Sequence, residues 1–172
     1  VNLWMSDAAM TFDKIREQFL DSAEYRTHVI KGYYTELLGV TDFVNNFNAN
    51  ELFNLVYGDG GRLTLDQVKS YLMAKPEYRR MQIRGYYNDL LERNNNITAA
   101  ELDGWFYSGY SLTFIKEQFM NSAEYRTLKI KGYYRDVLGR DLDSIRLTDA
   151  ERSRLQSEIN GWVTSSLTLD EV

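Results

Sequence analysis

Ser22–Leu38 reads SAEYRTHVIKGYYTELL, Lys75–Leu91 reads KPEYRRMQIRGYYNDLL and Ser122–Leu138 reads SAEYRTLKIKGYYRDVL. The order Glu-Tyr-Arg, Ile, a basic residue, Gly-Tyr-Tyr, an acid and an apolar pair recurs in each. At about 100° per residue, Tyr33, Tyr34, Leu37 and Leu38 fall in a broad stripe around Ile30, which predicts a helix of about 16 residues with one main buried face. Tyr25, His28 and Gly32 fall nearly opposite, as do Tyr78, Met81 and Gly85, and Tyr125, Leu128 and Gly132. The central helix is therefore expected to be buried on two faces. A mid-helix glycine costs about 1 kcal/mol relative to alanine. Close approach of a neighbouring helix to Gly32, Gly85 and Gly132 would offset that cost. Together with Tyr25, Tyr78 and Tyr125, these glycines are read as structural.

Working outward, a short amphipathic segment precedes each copy: Thr11–Leu20, Thr64–Met73 and Ser111–Met120. Thr11, Thr64 and Ser111 are natural N-caps, and Ser22 and Ser122 can cap the central helix. Pro76 sits where a first-turn proline is tolerated. A third segment follows each copy, opened by Asn48-x-x-Glu51, Thr98-x-x-Glu101 and Thr148-x-x-Glu151, each with the form of a capping box. The fold class read from this pattern is all-α, with repeated helical hairpin units of about fifty residues packed into one compact or short solenoid-like array. The units span roughly 11–57, 64–107 and 111–163, with partial units at 1–10 and 168–172. Trp4 ends one unit and Thr168–Val172 begins another, so the chain is expected to be a piece of a larger protein.

Composition removes several classes of function. The chain of 172 residues contains no cysteine, which rules out disulfides, thiolate zinc sites and cysteine catalysis. Its net charge is −5 and its basic residues are dispersed, so no nucleic-acid footprint is present. No apolar run is long enough for a membrane span, and no insertion is expected.

Chemistry-bearing constellations are sparse. The only histidine, His28, aligns with Met81 and Leu128, which marks a packing position rather than a catalytic one. Glu24, Glu77 and Glu124 recur at the helix start, and Glu36, Asp89 and Asp136 near its end. A catalytic acid–base pair needs to exist once, so these are read as structural, with Arg26, Arg79 and Arg126 pairing across helices. No catalytic residue, and no enzyme, is assigned. Glu92–Glu101 resembles the second half of a calcium loop, which makes Asn94, Asn96 and Glu101 weak ligand candidates. The turn glycine and first ligand are missing, so no cofactor is assigned, with calcium the one alternative. The irregular Trp105-Phe-Tyr-Ser-Gly-Tyr110 cluster, with Tyr57 in the comparable stretch, is the candidate binding surface: Trp105, Tyr107, Tyr110 and Tyr57.

Tyr134-Arg-Asp-Val-Leu-Gly-Arg140, Asp143, Trp162 and Ser166-Leu167, with Phe19–Tyr25 and Phe119–Tyr125, resemble a bacterial repeat family known as domain of unknown function 4214. Val40 stands for the arginine of that pattern in the first copy, and Glu92 for its glycine in the second. A more distant likeness is to phycobilisome linker domains, which are usually basic where this chain is acidic. The resemblance implies a non-catalytic structural or interaction module of a larger, exported or cell-surface bacterial protein. Its partners would be neighbouring domains, other proteins or surface polysaccharide. A carbohydrate-binding module using exposed aromatics, or an accessory domain of an enzyme, are the alternatives.

Overall fold

The computed structural model describes residues 11–44, 47–58 and 61–171. Among them are nine helices and no strand: α1 (Phe12–Asp21), α2 (Ala23–Leu38), α3 (Ala49–Tyr57), α4 (Leu65–Met73), α5 (Pro76–Leu91), α6 (Ala99–Phe106), α7 (Leu112–Met120), α8 (Ala123–Asp136) and α9 (Asp149–Thr164). The expectation for Val1–Met10 and Trp4 lies outside the described residues.

Eight of the nine described helices start where the sequence supplies a cap, and α5 starts at Pro76. The side chains of Thr11, Ser22, Asn48, Thr64, Thr98, Ser111, Ser122 and Thr148 each accept from the backbone N–H three residues on. Such caps satisfy amides that the helix itself leaves unpaired, at about 1 kcal/mol each. Reciprocal capping boxes form at Thr98–Glu101 and Thr148–Glu151. At Asn48 the box is half-made, because the Glu51 side chain is drawn instead to Tyr71 and Lys75.

The chain divides into two parts, Val1–Met81 and Gln82–Val172, with the boundary inside α5. The first part holds one core. Ile30, Tyr34 and Leu37 of α2 meet Leu55 and Val56 of α3 and Val68 and Leu72 of α4. The core of the first sequence copy is thus closed by the short helix that opens the next copy. The second part holds two cores. Ile83, Tyr87 and Leu91 pack with Leu102, Ile115 and Phe119, and Ile130 and Tyr134 pack with Leu142, Leu155 and Ile159. Ile30, Ile83 and Ile130 have no exposed surface. Burying each side chain is worth roughly 1.5–3 kcal/mol relative to leaving it in water.

The second face differs from expectation. Tyr78 packs on the first core, and Tyr125 and Leu128 on the second, but Tyr25 and His28 are exposed. The glycines are not sites of close approach. An added Cβ would meet nothing within 4 Å at Gly32 or Gly132, and at Gly85 only the Asp89 carboxylate, one turn along the same helix. The buried stripe runs along the tyrosine–isoleucine side, and the glycine side stands clear of it.

Candidate interaction surface

Recurrent charges are consumed by the frame. Buried Arg26 donates from Nε (3.0 Å) and Nη2 (2.7 Å) to the carbonyl of Leu55, in the last turn of α3, and also reaches the carbonyl of Leu63. Burial foremost, then the neighbouring Arg62, lowers the pKa of its guanidinium. Arg126 repeats the clamp on the carbonyl of Trp162 at 3.1 and 2.8 Å, adding Ser165 Oγ at 3.0 Å. The arginines do bridge elements, but their partners are backbone carbonyls at and beside helix ends, where the helix supplies no donor of its own.

The carboxylates at the third-helix caps are equally occupied. Lys75 Nζ lies 2.6 Å from Glu51 Oε1, and the Tyr71 hydroxyl donates to the same oxygen at 2.9 Å. Burial works to raise the Glu51 pKa, but these hydrogen bonds outweigh it and hold the group below its ordinary value. Arg93 forks onto Glu124 (2.7 and 2.7 Å) and also reaches Glu101 Oε1 at 2.8 Å. The backbone and hydroxyl of Thr98, then Arg93, push Glu101 down to about 2.

The calcium candidates take part in the same bonding. Glu101 Oε1 faces Arg93, and Oε2 accepts from Thr98 N and Oγ1. Asn94 has φ 48° in a turn held by mutual bonds between Asn88 and Asn95. No group of three or more metal-binding side chains converges among the described residues. Asn94, Asn96 and Glu101 lie in a tight turn running into a capped helix.

The aromatic candidates separate. Trp105 is half-buried against the second core, with its ring centroid 5.6 Å from that of Phe119 and its side chain hydrogen-bonded to Tyr87. It is a packing residue, contrary to its selection as a binding anchor. Tyr57, Tyr107 and Tyr110 are exposed, Tyr57 tilted against Phe53 and Tyr110 against Phe114.

A different surface stands out beside α8 and α9. Tyr133, Tyr134, Val137, Leu138, Trp162 and Leu169 line an apolar groove of about 440 Å³, with Asp170 at its rim. Val137 is 77% and Leu138 57% exposed. Their counterparts Leu37, Leu38, Leu90 and Leu91 are buried or half-buried. The helix also ends earlier here: α2 and α5 reach the second apolar residue, whereas α8 stops at Asp136.

The filled version of this groove is visible at α5. There the Phe119 ring lies 6.1 Å from Tyr86, 4.6 Å from Tyr87 and 5.6 Å from Trp105. Tyr133, Tyr134 and Trp162 are the corresponding three residues at α8. The geometry offers a ring-sized apolar seat.

The described residues thus form an all-α protein with an open apolar groove beside α8 and α9. None of its helices is long and apolar enough to cross a membrane. Comparison with family models, with curated proteins and with solved structures found no match.

Proposed function

We propose that the chain is a non-catalytic structural and protein-interaction module of a larger, exported or cell-surface bacterial protein. Its three sequence copies act as helical repeat units, and the α8–α9 groove takes up an amphipathic helix. The observation that carries this reading is the exposure of Val137 and Leu138 beside Trp162, at positions where the first two copies are covered. Contiguous exposed apolar surface of this kind marks interaction sites. Helix-in-groove recognition by anchors spaced three and four residues apart suits it. The likeness to the domain 4214 repeats supports the bacterial, exported setting.

The test is a titration with a synthetic peptide of the α7 sequence, SLTFIKEQFMN (residues 111–121), followed by NMR at the Trp162 indole N–H. The expected result is a saturable shift that Leu138→Asp abolishes. An unmoved Trp162 resonance at millimolar peptide would overturn the reading.

A second reading, carbohydrate binding, draws on the exposed Tyr107 and Tyr110 beside Gly109. Glycan-array binding that disappears on Tyr107→Ala would favour it, and an empty array would remove it.

A further inference from the structure

α9 runs for 16 residues, where α3 has 9 and α6 has 8. Trp162 matches Trp105 and Leu55, so the added length lies at the N-terminal end of α9. Ser153, Gln156, Ser157 and Asn160 fall at spacings of three and four and share one face of it. That face carries hydroxyls and amides and no charge, although Asp149, Glu151, Arg154 and Glu158 stand on the same helix. Serine and asparagine are weaker helix formers than alanine, so helix propensity does not account for them.

The face walls a cleft of about 570 Å³ that also takes in Lys131 of α8 and Asp143 of the loop between the two helices. It shares no lining residue with the Tyr134–Trp162 groove. Arg152 pins that loop to α9, donating to the carbonyls of Leu142 and, at 3.0 Å, Ser144. The Gln156 amide donates to Asn160 Oδ1 at 2.8 Å, which leaves Gln156 Oε1 to accept and Asn160 Nδ2 to donate. Lys131 is half-buried and has no ion-pair or ring partner among the described residues, whereas its counterpart Lys31 lies over the Phe43 ring at 5.4 Å. The same face stays uncovered where a further copy follows. Gln156 and Ser157 match Ala49 and Asn50 in the first copy and Ala99 and Ala100 in the second, and all four are exposed. Neither earlier copy carries the hydroxyl and amide stripe.

We propose that this cleft binds a neutral mono- or disaccharide. Asp143 offsets Lys131, and Arg152 is spent on backbone carbonyls, so the cleft favours no net charge on its ligand. It presents donors and acceptors side by side, which complements a ring of neighbouring hydroxyls that each donate and accept. Lys131 donates to a hydroxyl oxygen, Asp143 accepts from a hydroxyl, and the Gln156–Asn160 pair takes two adjacent hydroxyls. The volume is within the range of small-molecule sites. No aromatic ring lines the cleft among the described residues, so stacking adds nothing and binding is in the millimolar range. The site is independent of the helix-acceptor groove and of Tyr107 and Tyr110.

The test is a titration of the full chain with maltose, cellobiose, lactose and chitobiose, followed by NMR at the side-chain amides of Gln156 and Asn160. At least one of these sugars should give saturable shifts at both amides. Lys131→Met should weaken binding about tenfold, by removing one hydrogen bond from a charged donor. Ser157→Leu, at an exposed position, should fill the cleft and abolish binding with the melting temperature unchanged. Tyr107→Ala should leave binding intact. No shift with any of the four sugars overturns the proposal, and so does a response to glucuronic acid alone, which would mark an anion site. Binding that survives both Lys131→Met and Ser157→Leu places the sugar elsewhere and also overturns it. Binding that Tyr107→Ala abolishes while Gln156 and Asn160 stay unmoved does the same, and leaves the Tyr107 reading standing.

Discussion

Trp162 donates its indole N–H to the hydroxyl of Tyr134 at 2.9 Å. Trp105 and Tyr87 are also hydrogen-bonded, one copy earlier. In the first copy Leu55 takes the tryptophan's place, since its carbonyl receives the Arg26 clamp as that of Trp162 receives Arg126. The buried Tyr34 hydroxyl has no such indole partner and lies beside the Glu51 carboxylate instead. Burial, with the nearby Glu51 carboxylate second, raises its pKa. One tyrosine position thus has a donor in two copies and none in the third.

Tyr134→Phe and Tyr34→Phe should therefore differ in cost. Removing the Tyr134 hydroxyl loses a made hydrogen bond and should cost about 1 kcal/mol. Removing the Tyr34 hydroxyl loses only its contact with Glu51, a carboxylate that Lys75 and Tyr71 already satisfy, and should cost well under about 1 kcal/mol. Urea denaturation of both variants checks this, and equal losses would contradict it.

The arginine clamps predict a sharp Arg–Lys distinction. Arg26 meets the Leu55 carbonyl through two nitrogens from a buried position. A lysine supplies one compact charge and cannot reproduce the fork. Arg26→Lys should cost about 2–3 kcal/mol, in the range for hydrogen bonds to charged groups. Arg126→Lys should cost less, because Arg126 is only half-buried and water can replace part of its bonding. Thermal melts of the two variants would expose a reversed order.

Acid should weaken the fold through Glu51 and Glu101. Both have folded-state pKa values below the ordinary 4.5. Their stabilising contributions are complete above the unfolded value and are lost as pH falls through the folded one. For Glu101 that window runs from about 4.5 down to about 2. Tm should fall across it. Glu51→Gln and Glu101→Gln should each lower Tm at neutral pH and flatten the acid limb. An unchanged slope in both variants would show that other carboxylates govern acid unfolding.

Local signals carried most of the fold. Caps, the Tyr-Tyr stripe and the threefold register place the helices correctly, because each rests on contacts within a few residues. The glycine side of the central helix was misread for the opposite reason. Whether a neighbour approaches Gly32 depends on tertiary placement, which a helical wheel does not contain. Trp105 was misread in the same way: an indole looks alike in sequence whether it faces Phe119 or water. The groove went unnoticed because it arises from what covers Leu37 and Leu91 and does not cover Leu138. That contrast is a property of neighbouring helices rather than of the residues themselves.

Glycine chemistry supplies the last prediction, with two classes of site moving in opposite senses. Gly32 and Gly132 lie in helical backbone with open space around the missing Cβ. Gly32→Ala and Gly132→Ala should stabilise by about 0.5–1 kcal/mol, since alanine restricts the unfolded chain and favours the helix. Gly39, by contrast, ends α2 with φ 69°, and a Cβ there would lie 3.1 Å from the Met81 methyl. Gly39→Ala should cost about 1–2 kcal/mol. The matching residue after α5 is Glu92, held at φ 54° without the freedom of glycine. Glu92→Gly should recover about 1 kcal/mol of that left-handed penalty. Chemical denaturation of the four variants gives the signs directly. A loss at Gly32 or Gly132 would mean that their open side is occupied in solution.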